Sequence, residues 1–166
     1  MLAKGRKIIA LCFVTLFLAL YSPSFALAEE YDAMKGVNSV KVIFDMRDSN
    51  PESAVIHLNL VHDTYKNLVT MKKNPACVVV FMGGAVKLIS TDTSGFKPEE
   101  QKSLKEIAGI ISRMSESGIR LEVCLFAARL SGVKEDSILS EVEGVGNGWI
   151  SEIGYQSKGY SLVPVY

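Results

Sequence analysis

The residue of this chain best placed to do chemistry is Cys124. It ends the apolar segment IRLEVC at residues 119–124 and precedes LFAARL, a stretch of helical composition. A sulfur where a strand stops and a helix starts faces free backbone N–H groups and the positive end of the helix dipole, which favour thiolate over thiol. Arg129 adds positive charge there if it folds back over the loop. Thiolate is the form that attacks sulfur and carries a persulfide. The same position also suits a packed thiol, the usual fate of a free cysteine, and both readings stand at this point.

Other cysteine chemistries fail on spacing. A phosphatase-type loop needs five residues between cysteine and arginine, whereas four separate Cys124 from Arg129 and none is glycine. Thioredoxin-type exchange needs C-x-x-C, which is absent. Papain-like hydrolysis needs a histidine base, and the chain has only His57 and His62. Five residues apart on one helix, they lie about 140 degrees round its axis and share no face. They read as helix-surface or boundary residues. A zinc site needs three or four converging ligands, and no such spacing occurs, so no metal is expected. Gly83-Gly84 lacks the G-x-G-x-x-G spacing of a dinucleotide loop and reads as a turn at a sheet rim. Asp45, Asp48, Asp63 and Asp92 read as caps and solvated loop residues.

The elements that must position Cys124 follow from hydrophobic periodicity. Residues 39–45 (SVKVIFD) alternate as a strand, and Asn50 or Ser49 caps a helix starting near Pro51. In that helix Val55, Leu58, Val61, Tyr65, Leu68 and Val69 recur at three- and four-residue spacing. Residues 76–82 (ACVVVFM) form an unbroken apolar run, the pattern of a central parallel strand covered on both faces. A second helix begins near Pro98 and carries Leu104, Ile107, Ala108, Ile111 and Met114. Residues 119–124 form a third strand, and short helices are predicted up to Leu130, over 134–140 and over 146–156 around Trp149. Residues 159–165 close the chain as a strand, with Pro164 marking an edge or terminus. Strands separated by helices imply right-handed parallel crossovers and a three-layer α/β domain. Chemistry in such sheets collects at the carboxyl ends of strands. Cys124 is at such an end, and Gly83, Gly84 and Arg129 are the candidate binding residues at the same rim.

That register tests the disulfide which an even pair of cysteines suggests in an exported protein. Aligning the starts of the second and third strands puts Cys77 beside Arg120. The two sulfurs are then separated by about 13 Å along the strands, beyond the roughly 7 Å between Cα atoms that a bridge tolerates. Cys77 reads as a core thiol.

Export itself is read from the first 28 residues. Lys4, Arg6 and Lys7 precede the apolar run IIALCFVTLFLAL, and Ala26-Leu27-Ala28 predicts cleavage after Ala28. Cys12 lies inside the apolar run without the small neighbours of a lipoprotein site. An uncleaved anchor is the competing reading, since the run approaches the about 18–20 residues that span a bilayer. Cleavage shifts the balance of basic against acidic residues from 18:18 to 15:18. No polybasic patch remains, which argues against nucleic acid or an anionic membrane as the main partner. A signal peptide over residues 1–28, an N-terminal extension over 29–38 and an α/β domain over 39–166 make up the expected organisation, in the periplasm or secreted.

VKVIFDM, HLNLVHDTYKNL, VVVFMGGAVKLI, the segment GIRLEVC and the ending GYQSKGYSLVPVY together resemble the DsrE/DsrF-like (YchN-like) family across residues 40–166. The resemblance implies a three-layer α/β/α sandwich with a mainly parallel five-stranded sheet, assembled as a trimer or hexamer. It also implies sulfur relay, with Cys124 at the position that accepts sulfane sulfur as a persulfide and passes it to a partner's cysteine. No organic cofactor is implied, and the chemistry is transfer, not hydrolysis. From the residues alone the competing expectation is an oligomeric interaction or small-ligand-binding domain in which Cys124 is only packed.

Overall fold

The computed structural model describes residues 31–166, so the expected signal peptide and Cys12 lie outside the described residues. Residues 31–35 belong to a separate small unit, in which a 3-10 turn at Asp32–Met34 is joined by a Lys35–Asp32 ion pair of 2.7 Å. Residues 36–166 form the domain. Among the described residues no helix is long and apolar enough to cross a membrane.

Five parallel strands alternate with helices: β1 (Lys41–Met46), α1 (Pro51–Thr70), β2 (Ala76–Phe81), α2 (Gln101–Glu116), β3 (Arg120–Cys124), α3 (Leu125–Leu130), β4 (Glu143–Val145), α4 (Gly148–Ser157) and β5 (Ser161–Val165). The sheet order is β4-β3-β2-β1-β5. From β1 to β4 the chain steps one way across the sheet, and right-handed crossovers put α1 and α2 on one face. The return from β4 to β5 runs the other way, so the same handedness puts α4 on the opposite face. The result is the expected α/β/α sandwich, in which α4 covers one side of the sheet among the described residues. β1 and β2, central in the sheet, are buried on both faces apart from their first residues.

Local chemistry explains where α1 and α2 start and what they bury. The Asn50 side chain accepts from the N–H groups of Glu52 (2.9 Å) and Ser53 (3.1 Å), and Pro51 occupies the first turn, where its missing N–H costs nothing. Asn50→Ala is expected to lower stability by about 1 kcal/mol in urea unfolding; an unchanged midpoint would remove the cap from this account. Ala54, Leu58 and Val61 of α1 and Leu104, Ile107, Ile110, Ile111 and Met114 of α2 pack with Phe44, Met46, Val79 and Phe81 in one core. Val69, expected in that stripe, is 49 % exposed, whereas its neighbour Leu68 is buried.

Three expectations need correction. Residues 134–140 form no α-helix but only a 3-10 turn at Glu135–Ser137, because Ile138 bridges Ser90 and the Leu139 N–H reaches Ile89 O at 2.9 Å, which draws the chain out. The extra strand β4 pairs with β3, from Glu122↔Glu143 to Cys124↔Val145. In the β2–β3 register Val78, not Cys77, lies opposite Arg120. Cys77 is therefore five residues below the level of Cys124, about 16 Å along the strands, and on the opposite face of the sheet. Both thiols are free.

Candidate functional site

Cys124 ends β3 and serves as N-cap of α3, its Sγ accepting from the Ala127 N–H at 3.4 Å. A donor at this place is the contact that a charged sulfur needs. The side chain is nevertheless only 3 % exposed. Its cover is the start of α4: a Cβ placed on Gly148 would stand 3.0 Å from Cys124 Cβ and 2.1 Å from Met82 Sδ. Glycine at 148 is what lets the helix backbone lie directly on the cysteine.

α4 is amphipathic in the inverse sense. Trp149, Ile150 and Ile153 are 60–68 % exposed, while Ser151, Glu152 and Tyr155 turn towards the sheet. Trp149 is thus not a core residue. The sheet answers with charged groups of its own, because Asp45, Val80 and Glu122 share one level of one face. Glu122, 2 % exposed, accepts from Arg120 Nε (2.7 Å), Tyr155 Oη (2.6 Å) and the Ser151 hydroxyl. Burial and the Glu122 bond push the Tyr155 phenol up to about 12, so it stays a donor. Asp45 accepts from Arg47 Nε at 2.6 Å and faces Glu152, which burial and the Asp45 charge push up to about 7. Asp45 is 4 % exposed, not the solvated residue expected.

Asp48 departs from expectation in the same way. It is buried just beyond β1 and accepts from Asn50 N–H (2.9 Å), Ser53 Oγ (2.5 Å) and His57 Nδ1 (2.9 Å). Burial works to raise this carboxyl, but those hydrogen bonds outweigh it and hold the group below the usual carboxylate value. His57 is accordingly an anchored imidazole rather than a free surface one, beside an apolar groove floored by Val42 and Phe44. The signal was available: Ser53 and His57 are four apart on α1, directly after the aspartate. His62 is buried against Ser117 Oγ at 2.9 Å, and burial together with Lys66 and Arg113 lowers its basicity below that of ordinary imidazole. Asp92 is a loop residue as expected, accepting from the Ser94 N–H at 3.0 Å, whereas Asp63 is solvated but lies within α1 and not in a loop, paired with Lys66.

The predicted rim residues separate. Gly83 adopts φ +54°, which only glycine takes without strain, and opens the 3-10 segment Gly83–Ile89. Gly84 lies against Ser49, whose Cβ would be 2.8 Å from an added methyl, and lines a polar cleft of about 480 Å³ with Lys87, Ser131 and Lys134. Cys124 is not among the residues lining that cleft. Arg129 is exposed and pairs with Glu135 at 3.5 Å. Among the described residues no cluster of His, Cys, Asp and Glu could hold a metal ion. Cys77 is buried in β2, and burial pushes its thiol up to about 11. It should therefore stay unmodified by iodoacetamide at pH 8 in folded protein; labelling of Cys77 at the rate of a free thiol would contradict this burial.

Comparison with known proteins adds the ancestry of this arrangement. An uncharacterized protein of Aquifex aeolicus (strain VF5) is 24 % identical over 126 residues, covering 75 % of this chain and 56 % of the relative, so the chain spans about half the length of that protein. The solved structure of MTH1491 from Methanobacterium thermoautotrophicum, a protein of unknown function, superposes with a TM-score of 0.62 at 19 % identity, covering 76 % of this chain and all of that one. YchN of E. coli superposes with a TM-score of 0.53 at 15 % identity, covering 76 % of this chain and 99 % of that one. At these identities the two structures show the fold alone. Residues 41–165, β1 to β5 in full, match the model of the DsrE/DsrF-like family, and the chain belongs to that family.

Proposed function

We propose that the protein is an exported sulfur carrier that uses Cys124 as its persulfide acceptor. The observation that carries this reading is the place of the sulfur: the carboxyl end of a parallel strand, with the Ala127 N–H donated to it. In the loading step the Cys124 thiolate attacks the outer sulfur of a donor persulfide. A Cys124 S–S bond forms, the donor's S–S bond breaks, and the donor leaves as thiolate. In unloading, the thiolate of a thiol-bearing partner protein attacks the outer sulfur and releases Cys124 as thiolate. No net oxidation occurs, no organic cofactor is required, and the activity is of sulfurtransferase type, not hydrolysis.

The partner side of the reading rests on apolar surface. Trp149, Ile150 and Ile153 on α4 and Phe126 and Leu130 on α3 are exposed, a composition suited to association of like chains as a trimer or hexamer. The basic, apolar and small-residue start supports processing after Ala28 and a periplasmic or secreted product without stable membrane association. The domain's slight acidity supports protein partners over nucleic acid.

Incubation with a persulfide donor should add one sulfur mass to Cys124, located by peptide mass spectrometry, and Cys124→Ser should abolish it. Absence of that mass while a control carrier loads would sink the proposal. The second reading, a packed Cys124 in an interaction or small-ligand domain, is favoured by its burial and by a cleft that excludes it. Under that reading Cys124→Ser leaves every ligand and partner interaction intact.

A further inference from the structure

We propose that Asp45 and Glu152 form a proton-dependent latch that holds α4 over Cys124, so that loss of one proton frees the helix and opens the sulfur. The proposal rests on the reading of Cys124 as a carrier and concerns how that site is opened. A sulfur that is 3 % exposed cannot meet a donor or a partner thiol until its cover moves, and that cover is α4 at Gly148.

α4 is built to be released. Within one chain it fully buries only Gly148 and Glu152, Tyr155 packs partly against the core, and Trp149, Ile150 and Ile153 face away from the sheet, so little hydrophobic area retains it. What holds it is polar: Ser151 and Tyr155 on Glu122, and Glu152 on Asp45. In the last pair each group has a buried oxygen, Asp45 Oδ1 and Glu152 Oε1, with no hydrogen-bond partner. Two ionised carboxylates would leave both oxygens orphaned and repelling. One proton on Glu152 supplies the missing donor and removes the repulsion.

The groups around the pair do not supply that proton. On β1 the charged residues are Lys41, exposed at the start of the strand and bonded to Lys158 O at 3.2 Å, Asp45 itself and, just beyond the strand, Arg47, already bonded to Asp45 Oδ2 and acted on by Tyr166. β2 presents Val78 and Val80 on this face and β5 presents Leu162 and Pro164. On β3 Glu122 is engaged with Arg120, and on α4 Tyr155 is engaged with Glu122. Among the described residues Arg47 is the cation that acts on Glu152, and it lowers the carboxyl less than burial and Asp45 raise it. The sign follows: the docked helix holds a proton with Glu152 near 7, whereas a released helix has an ordinary carboxyl near 4.5. Docking is favoured in acid below that ordinary value and weakens as pH rises through about 7.

Amide hydrogen exchange of residues 151–157 at pH 6 and pH 8.5, corrected for the intrinsic base-catalysed rate, reads the latch. Wild-type protection should fall about tenfold over this interval. In Glu152→Gln an amide donates to Asp45 without titrating, and protection should not change with pH. Asp45→Asn should behave alike and decides the matter if Glu152→Gln does not fold. Cys77 alkylation in the same samples detects global unfolding, so loss confined to α4 supports the latch. A parallel fall in wild type and variants, or no fall in wild type, overturns it. Persulfide loading is read separately by mass. Loading without a pH step sinks the latch alone, and a pH step without loading sinks the carrier alone.

Discussion

Glu122→Ala is expected to lower stability by about 3 kcal/mol, because it strips the shared acceptor from the buried hydroxyls of Ser151 and Tyr155. Arg120, half-exposed, loses its partner at smaller cost, since water reaches its guanidinium. The loss should be felt first in α4, whose Ser151 and Tyr155 have no other tie to β3. Glu122→Gln, which keeps an acceptor oxygen, should lose about 1–2 kcal/mol. Urea unfolding of the two variants checks the order. Equal stability of Glu122→Ala and wild type would mean that the network is decorative.

The second large effect concerns the glycine pressed against the sulfur. In Gly148→Val the added Cβ meets Met82 Sδ at 2.1 Å and Cys124 Cβ at 3.0 Å, and both neighbours are themselves buried, at under 5 % exposure. Overpacking of this kind costs about 1–3 kcal/mol. Here it is relieved by lifting the start of α4, so Cys124 should be alkylated at least about tenfold faster, while Cys77 stays protected. A variant that is less stable yet no more reactive at Cys124 would show that something other than α4 covers the sulfur.

How legible this arrangement was differs residue by residue. β1, α1, β2, α2, β3 and β5 follow from period-2 and period-3.6 patterns, and the Asn50 cap and Pro51 start from the residue types at one helix end. β4 was illegible because Glu143–Val145 carries no apolar alternation; an edge strand this short is made by backbone pairing to β3 alone. The position of Cys124 at a strand end was readable, but its burial was not, since it depends on a helix 24 residues later packing through a glycine. Periodicity arguments also send every charge outward. Asp45 in VKVIFDM and Glu122 in RLEVC sat inside apolar runs, and that mismatch was the available sign of buried polar groups with partners elsewhere. Their partners, Glu152, Tyr155 and Ser151, lie on a helix whose inverse amphipathicity hides which side meets the sheet.

The pairing of β5 with β1 has a consequence for how the domain is made. Val42 lies opposite Ser161, so β1 completes its hydrogen bonding only with a strand synthesised well over a hundred residues later. At about 5–20 residues per second the edge of β1 waits roughly 6–24 s for its neighbour, while β2 to β4 assemble on its other side through nearer contacts. During that interval an open parallel edge with Val42, Phe44 and Met46 on one face offers itself to any other extended chain. Lys41, Asp45 and Arg47, flanking Ile43 on the opposite face, keep that edge partly hydrated on one side until β5 arrives.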